Sequence, residues 1–128
     1  MTRRVLNVGQ CGPDHAAISG MLRRQFGAVV SQTDHVDDTL AALRAQPFDL
    51  VLINRKLDID YSDGLAVLRA LKSDPGLAHV PVMLVSNYAD AQAEAVAAGA
   101  LPGFGKAELG LEVTTAKLEK LLGGSAAP

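Results

Sequence analysis

The stretch Phe48-Asp49-Leu50-Val51-Leu52-Ile53-Asn54 decides the fold. Pro47 precedes it, four consecutive apolar residues fill its centre, and it stops at an amide followed by a charged loop that begins with Arg55. A short apolar run with β-branched members, bounded in this way, reads as a strand buried on both faces, as in a parallel sheet. In open α/β sheets the ligand site lies just beyond the carboxyl ends of the strands, so a polar side chain at that point is where chemistry is expected. Here it is Asn54.

Outward from this strand, short apolar runs alternate with helical patterns. On the N-terminal side, Arg4 to Val8 reads as a first strand broken by Gly9 and Gly12, and Ile18, Met21, Leu22 and Phe26 recur at helical spacing. Ala28 to Val30 gives a second strand, and Asp34 caps a helix that carries Val36, Leu40 and Leu43 along one side. On the C-terminal side, a loop from Arg55 to Asp63 leads into a helix with Leu65, Leu68 and Leu71, stopped at Asp74-Pro75-Gly76. Val80 to Val85 reads as a fourth strand ending at Ser86, followed by an Ala-rich helix over residues 89 to 98 that Gly99 terminates. Leu101 to Phe104 forms a fifth strand, Lys106 follows it, and Leu111, Leu118, Leu121 and Leu122 mark a last helix. Five βα units imply a single-domain, doubly wound parallel sheet of α/β class with helices on both faces, in the flavodoxin-like order 2-1-3-4-5. That order brings Gly9, Gln10, Asn54, Ser86 and Lys106 to one edge of the sheet. The domain is expected over residues 1–122, with 123–128 as a flexible tail or the start of a linker.

The whole-chain numbers narrow the classes. With 128 residues, 48% hydrophobic, the chain suits one domain with a proper core. Its 12 basic and 14 acidic residues give a net charge of -2 without a block of one sign, which argues against a dedicated nucleic-acid or membrane surface and for protein partners. The single cysteine, Cys11, cannot form an internal disulfide, and no apolar segment is long enough for a signal core or a membrane span. The cytoplasm is the expected compartment.

The order of pieces is specific. Asn54 at a strand end is followed by Asp63-Gly64, then Leu71-Lys72-Ser73-Asp74-Pro75, then His79 to Ser86, then Ala98-Gly99-Ala100, then Lys106. Over almost its whole length the chain resembles the receiver domain of two-component response regulators. Receivers accept a phosphoryl group on an aspartate ending the third strand, and Asn54 stands at that position; an amide cannot attack phosphorus as a carboxylate does. The resemblance places Gly9 and Gln10 where the family carries two acidic Mg²⁺ ligands, so the site is expected to hold the ion very weakly and no cofactor is expected. Ser86 and Lys106 match the hydroxyl and the lysine that contact the phosphoryl group in the family. The aromatic switch position falls on Gly103, and Phe104, one place on, is expected to pack inward. Ala107 replaces the proline that follows the lysine, and the loop after Asn54 is about two residues longer than usual. The implied function is a phosphorylation-independent, receiver-like protein-interaction module of bacterial signalling, a pseudo-receiver that is not an enzyme. Its partner would meet the face of helix four, strand five and helix five, and a homodimer is left open.

Two alternatives stand beside this one. A surrogate acid, Asp58 or Asp60, could accept the phosphoryl group, or the domain could bind a small ligand in the manner of a flavodoxin, although Gly9 to Pro13 offers no Ser or Thr for a phosphate. Lys106, without an acidic partner in this reading, must reach water, pair with Asn54 and nearby carbonyls, or bind an anion. Gly99 to Ala107 lacks P-loop spacing, Gly9-Gln10-Cys11-Gly12 lacks a dinucleotide fingerprint, and His15, His35 and His79 are scattered.

Overall fold

A computed structural model describes residues 2–123. The strands are β1 (Arg4–Val8), β2 (Val29–Thr33), β3 (Leu50–Asn54), β4 (Val82–Val85) and β5 (Leu101–Phe104). The helices are α1 (Gly12–Phe26), α2 (Val36–Ala45), α3 (Leu65–Ser73), α4 (Ala89–Ala97) and α5 (Glu112–Leu122), with a 3₁₀ turn at Lys106–Glu108. All strands run parallel in the order β2-β1-β3-β4-β5, the flavodoxin-like arrangement that the alternating pattern predicts. Of the expected tail, residues 123–128, all but Gly123 lie outside the described residues; Gly123 closes α5.

Two-sided burial is visible residue by residue. Leu6, Val8, Val51, Ile53, Val82 and Leu84 point to the layer of α2, α3 and α4, where they meet Leu43, Leu68, Leu71 and Ala95. Val5, Leu50, Leu52, Met83, Val85 and Phe104 point the other way, against Ile18, Met21, Leu22, Leu118 and Leu122 of α1 and α5. Neighbouring residues of one strand thus feed opposite cores, which is why the run reads as continuous rather than alternating. Phe104 is 1% exposed and packs inward.

Several boundaries differ from those read in the sequence, each for a local reason. β2 runs on through Ser31, Gln32 and Thr33, because pairing with the whole of β1 extends this edge strand beyond its apolar part. Val80 bonds back to Leu77 as a turn, so β4 starts only at Val82. The helix after β1 begins at Gly12 with Pro13 in its first turn, so the loop between them is shorter than the glycines suggest. α2 is not capped by Asp34. The Asp38 carboxylate accepts the backbone N–H groups of Asp34 and His35 at 2.8 and 2.9 Å, satisfying the helix start from inside the helix.

Candidate functional site

The carboxyl ends of β1, β3 and β4 and the turn after β5 frame an open cavity of about 360 Å³, lined among others by Asn54, Ser86, Lys106, Asp14 and Asp58. Asn54 ends β3 half-buried, and its Nδ2 donates to the Gly9 carbonyl at 3.0 Å. The same carbonyl accepts the Asp58 N–H at 2.9 Å, so the start of the β3–α3 loop is tied to the end of β1. Gly9 has φ +75°, a conformation that suits glycine, and a Cβ built there would come within 2.5 Å of Leu57 Cδ2. Leu57 is 1% exposed. Any side chain at position 9 would therefore compete with Leu57 for the same space.

The loop that carries Leu57 is a closed structure. Leu57 N–H donates to the Ser62 carbonyl at 2.9 Å, Tyr61 N–H to the Leu57 carbonyl at 2.7 Å, and Gly64 N–H to the Arg55 carbonyl at 2.7 Å. Tyr61 adopts φ +59°, a left-handed turn at a residue other than glycine. Gly64 is required for a different reason: a Cβ there would collide with the Asn54 carbonyl oxygen. The Asp60 carboxylate accepts both the N–H and the hydroxyl of Ser62, at 2.9 and 2.6 Å, which holds its carboxyl below the ordinary range. Asp60 does not line the cavity, whereas Asp58 does.

Ser86 and Lys106 both reach the cavity, and both have protein partners. Ser86 Oγ accepts the Tyr88 N–H at 3.2 Å where α4 begins. Lys106 Nζ sits 2.7 Å from Asp14 Oδ2, with both side chains about one-third exposed. This corrects the reading of Lys106 as a lysine without a carboxylate: α1 starts close enough to the β5 end for its first-turn acid to supply one. The Asp14 carboxyl is held below the ordinary range by the hydrogen bond from Lys106 and then by one from Cys11, against a smaller opposing effect of burial. Nothing in local sequence pairs Asp14 with Lys106; the available signal was an acid in the first turn of a helix whose N-terminus faces the same sheet edge.

Of the expected positions, Gly9, Gln10 and Gly103 are not among the residues that line the cavity. Gln10 does not line it: the residue is 2% exposed, its carbonyl accepts Gln32 Nε2 at 3.4 Å, and its side-chain amide has no partner among the described residues. The expected convergence of Gln10 with Asn54 therefore fails, because the chain after Gly9 turns this side chain into the protein. Gly103 lies in β5 against the Leu84 carbonyl and the Gln92 amide. Among the described residues, no group of three or more His, Cys, Asp or Glu side chains is placed to hold a metal ion. The arrangement offers the amides of Asn54 and Asn87, the hydroxyls of Ser86, Tyr61 and Tyr88, the basic side chains of Arg55 and Lys56, an Asp14–Lys106 ion pair and the carboxylate of Asp58.

Solved structures of response-regulator receiver domains share this fold. The signal receiver domain of a DNA-binding response regulator from Colwellia psychrerythraea aligns with TM-score 0.76 at 21% identity, covering 94% of this chain and 98% of that one. A response regulator from Thermotoga maritima gives 0.76 at 20% identity over 97% of this chain and all (100%) of that one. The receiver domain of a sensor histidine kinase from Pseudomonas aeruginosa, with a magnesium ion coordinated in its active-site cleft, gives 0.72 at 20% identity, covering 97% of this chain and 100% of that one. No family model matches the chain. In sequence it is 29% identical over 120 residues to a gliding motility regulatory protein of Myxococcus xanthus, an alignment covering 92% of this chain and 15% of that protein's length. Among the described residues no helix is long and apolar enough to cross a membrane.

Proposed function

We propose that this chain is a receiver-fold signalling module that works without phosphorylation, by presenting a surface to a protein partner. The observation that carries the reading is the end of β3, where Asn54 places an amide bonded to the Gly9 carbonyl while Leu57 fills the space beside Gly9. Neither position then offers a carboxylate to a phosphoryl group or to Mg²⁺. Ser86 and Lys106 serve the fold here, the first at the start of α4 and the second paired with Asp14. In this reading they are what is left of a phosphate site. Anion binding by Lys106 is not part of the proposal, since Asp14 already supplies its counter-charge.

The partner surface is the face of α4, β5 and α5, where Val96, Leu101 and Val113 are each at least 40% exposed. Exposed apolar side chains spread over three adjoining elements suit a protein contact. Intact-mass measurement after incubation with acetyl phosphate and Mg²⁺ tests the reading. No added phosphoryl mass is expected; a gain abolished by Asp58→Asn would instead make Asp58 a surrogate acceptor, the only one of the two expected acids that lines the cavity.

A further inference from the structure

The polar residue that binds α4 to the sheet is Gln92. α4 is otherwise attached by small side chains: it buries only Ala91 and Ala95 against the core. Gln92 supplies what alanines cannot. Its Nε2 donates to the Leu84 carbonyl at 2.9 Å and to the Ser86 carbonyl at 3.1 Å, and its Oε1 accepts the Gly103 N–H at 3.0 Å. These bonds fall where the β4–β5 ladder is irregular, between Met83 and Val85. There the primary amide acts as a substitute rung, giving a donor to β4 and an acceptor to β5. Without it, three backbone groups, the Leu84 and Ser86 carbonyls and the Gly103 N–H, would lose this partner.

Position 103 is built for this arrangement. A Cβ at Gly103 would collide with the Leu84 carbonyl oxygen and lie 3.0 Å from Gln92 Oε1. On its other side, the Gly103 carbonyl accepts Lys117 Nζ of α5 at 2.8 Å. One glycine thus ties α4, β5 and α5 together through its own two backbone groups. None of these bonds involves Asn54, Lys106 or Asp14.

We infer that Gln92 is a clasp that fixes α4 on β4 and β5, so that the α4–β5 face keeps one conformation whatever occurs in the cavity beside Asn54. The inference rests on the proposed phosphorylation-independent function and explains how a partner face can stay constant. A face held by backbone-directed hydrogen bonds on both strands moves only if the amide lets go; of the residues it bonds, Ser86 alone lines the cavity, and there the bond is to the backbone carbonyl rather than to the hydroxyl.

The test is amide hydrogen exchange and relaxation-dispersion NMR on the chain and on Gln92→Leu, Gln92→Glu and Asp14→Asn variants. Gln92→Leu keeps the size and removes every bond, whereas Gln92→Glu keeps an acceptor for Gly103 and removes both donors. The clasp predicts exchange of the Gly103 amide about tenfold faster in Gln92→Leu, and faster exchange also in Gln92→Glu, where a carboxylate oxygen would face the Leu84 and Ser86 carbonyl oxygens. Millisecond broadening should appear over residues 86–104 in both Gln92 variants. Asp14→Asn should leave Gly103 protected. Equal Gly103 protection in the chain and in Gln92→Leu, uniform acceleration across all five strands, or loss of Gly103 protection in Asp14→Asn would each overturn the clasp. A phosphoryl mass gain in the unaltered chain with Gly103 still protected would overturn the function while leaving the clasp standing.

Discussion

Asn54, Gly9 and Leu57 define the residue scale, because on the proposed function they together decide whether a carboxylate at position 54 could accept a phosphoryl group. Asn54→Asp returns a carboxylate to the end of β3, but the place beside Gly9 stays filled by Leu57 and Gln10 stays buried. The single reversion is therefore expected to give no phosphoryl mass gain with acetyl phosphate and Mg²⁺; a stoichiometric gain would show that the acceptor carboxylate alone was missing. Charge at this scale also sets the response to acid. Burial pushes the His15 imidazole below its ordinary value of 6.5, so the unfolded chain takes up that proton first and stability falls as pH drops below that value. The Asp14 carboxyl is shifted below its ordinary 3.8, so the stabilisation from Lys106 persists above that value and is lost as pH falls through the depressed one. Melting temperature should fall in two stages on acidification. His15→Gln should remove the upper stage, and an unchanged profile in that variant would contradict the assignment. Asp14→Asn at neutral pH should cost at most about 1 kcal/mol, since the pair is partly exposed and screened. Asp14 was not legible in the sequence because its partner lies at the far end of the chain, and only the closed sheet brings α1 beside the turn after β5.

Elements show why some boundaries were readable and others were not. β3 and β4 are buried on both faces, so composition alone marked their centres, whereas β2 is an edge strand whose last residues are polar and are strand only because β1 pairs with them. Helix α3 was legible from Leu65, Leu68 and Leu71, which are all at most 2% exposed and carry the packing on that side of the sheet. Truncating Leu71 to alanine should cost about 2–5 kcal/mol in urea unfolding with an unchanged m-value. Gln92 shows the reverse case. In an Ala-rich helix it looks like an ordinary polar position, and nothing in helical periodicity announces that its amide completes a strand ladder. Gly103→Ala should destabilise by about 1–3 kcal/mol, because the added methyl would collide with the Leu84 carbonyl. A Gly103→Ala variant as stable as the parent would mean that β5 can shift away from β4 at little cost.

Over the whole molecule, the strand order places every cavity residue at one edge of the sheet and leaves the α4–β5–α5 face to one side. The fold was legible because five apolar runs alternate with helical patterns, and the parallel connection rules leave few ways to arrange them. Of the expected site positions Asn54, Ser86 and Lys106 line one cavity, and what the side chains touch was not legible: Lys106 has an acid, Ser86 starts a helix, and Gln10 is turned inward. On the proposed function, the domain is expected to keep its structure when a phosphate mimic is offered. Two-dimensional NMR during titration with a beryllofluoride and Mg²⁺ mixture measures this directly. With the proposed phosphorylation-independent function, no saturable shifts are expected at Asn54, Ser86 or Lys106 and none across α4 and β5. Saturable shifts that spread from Asn54 through Ser86 to Gly103 would contradict it.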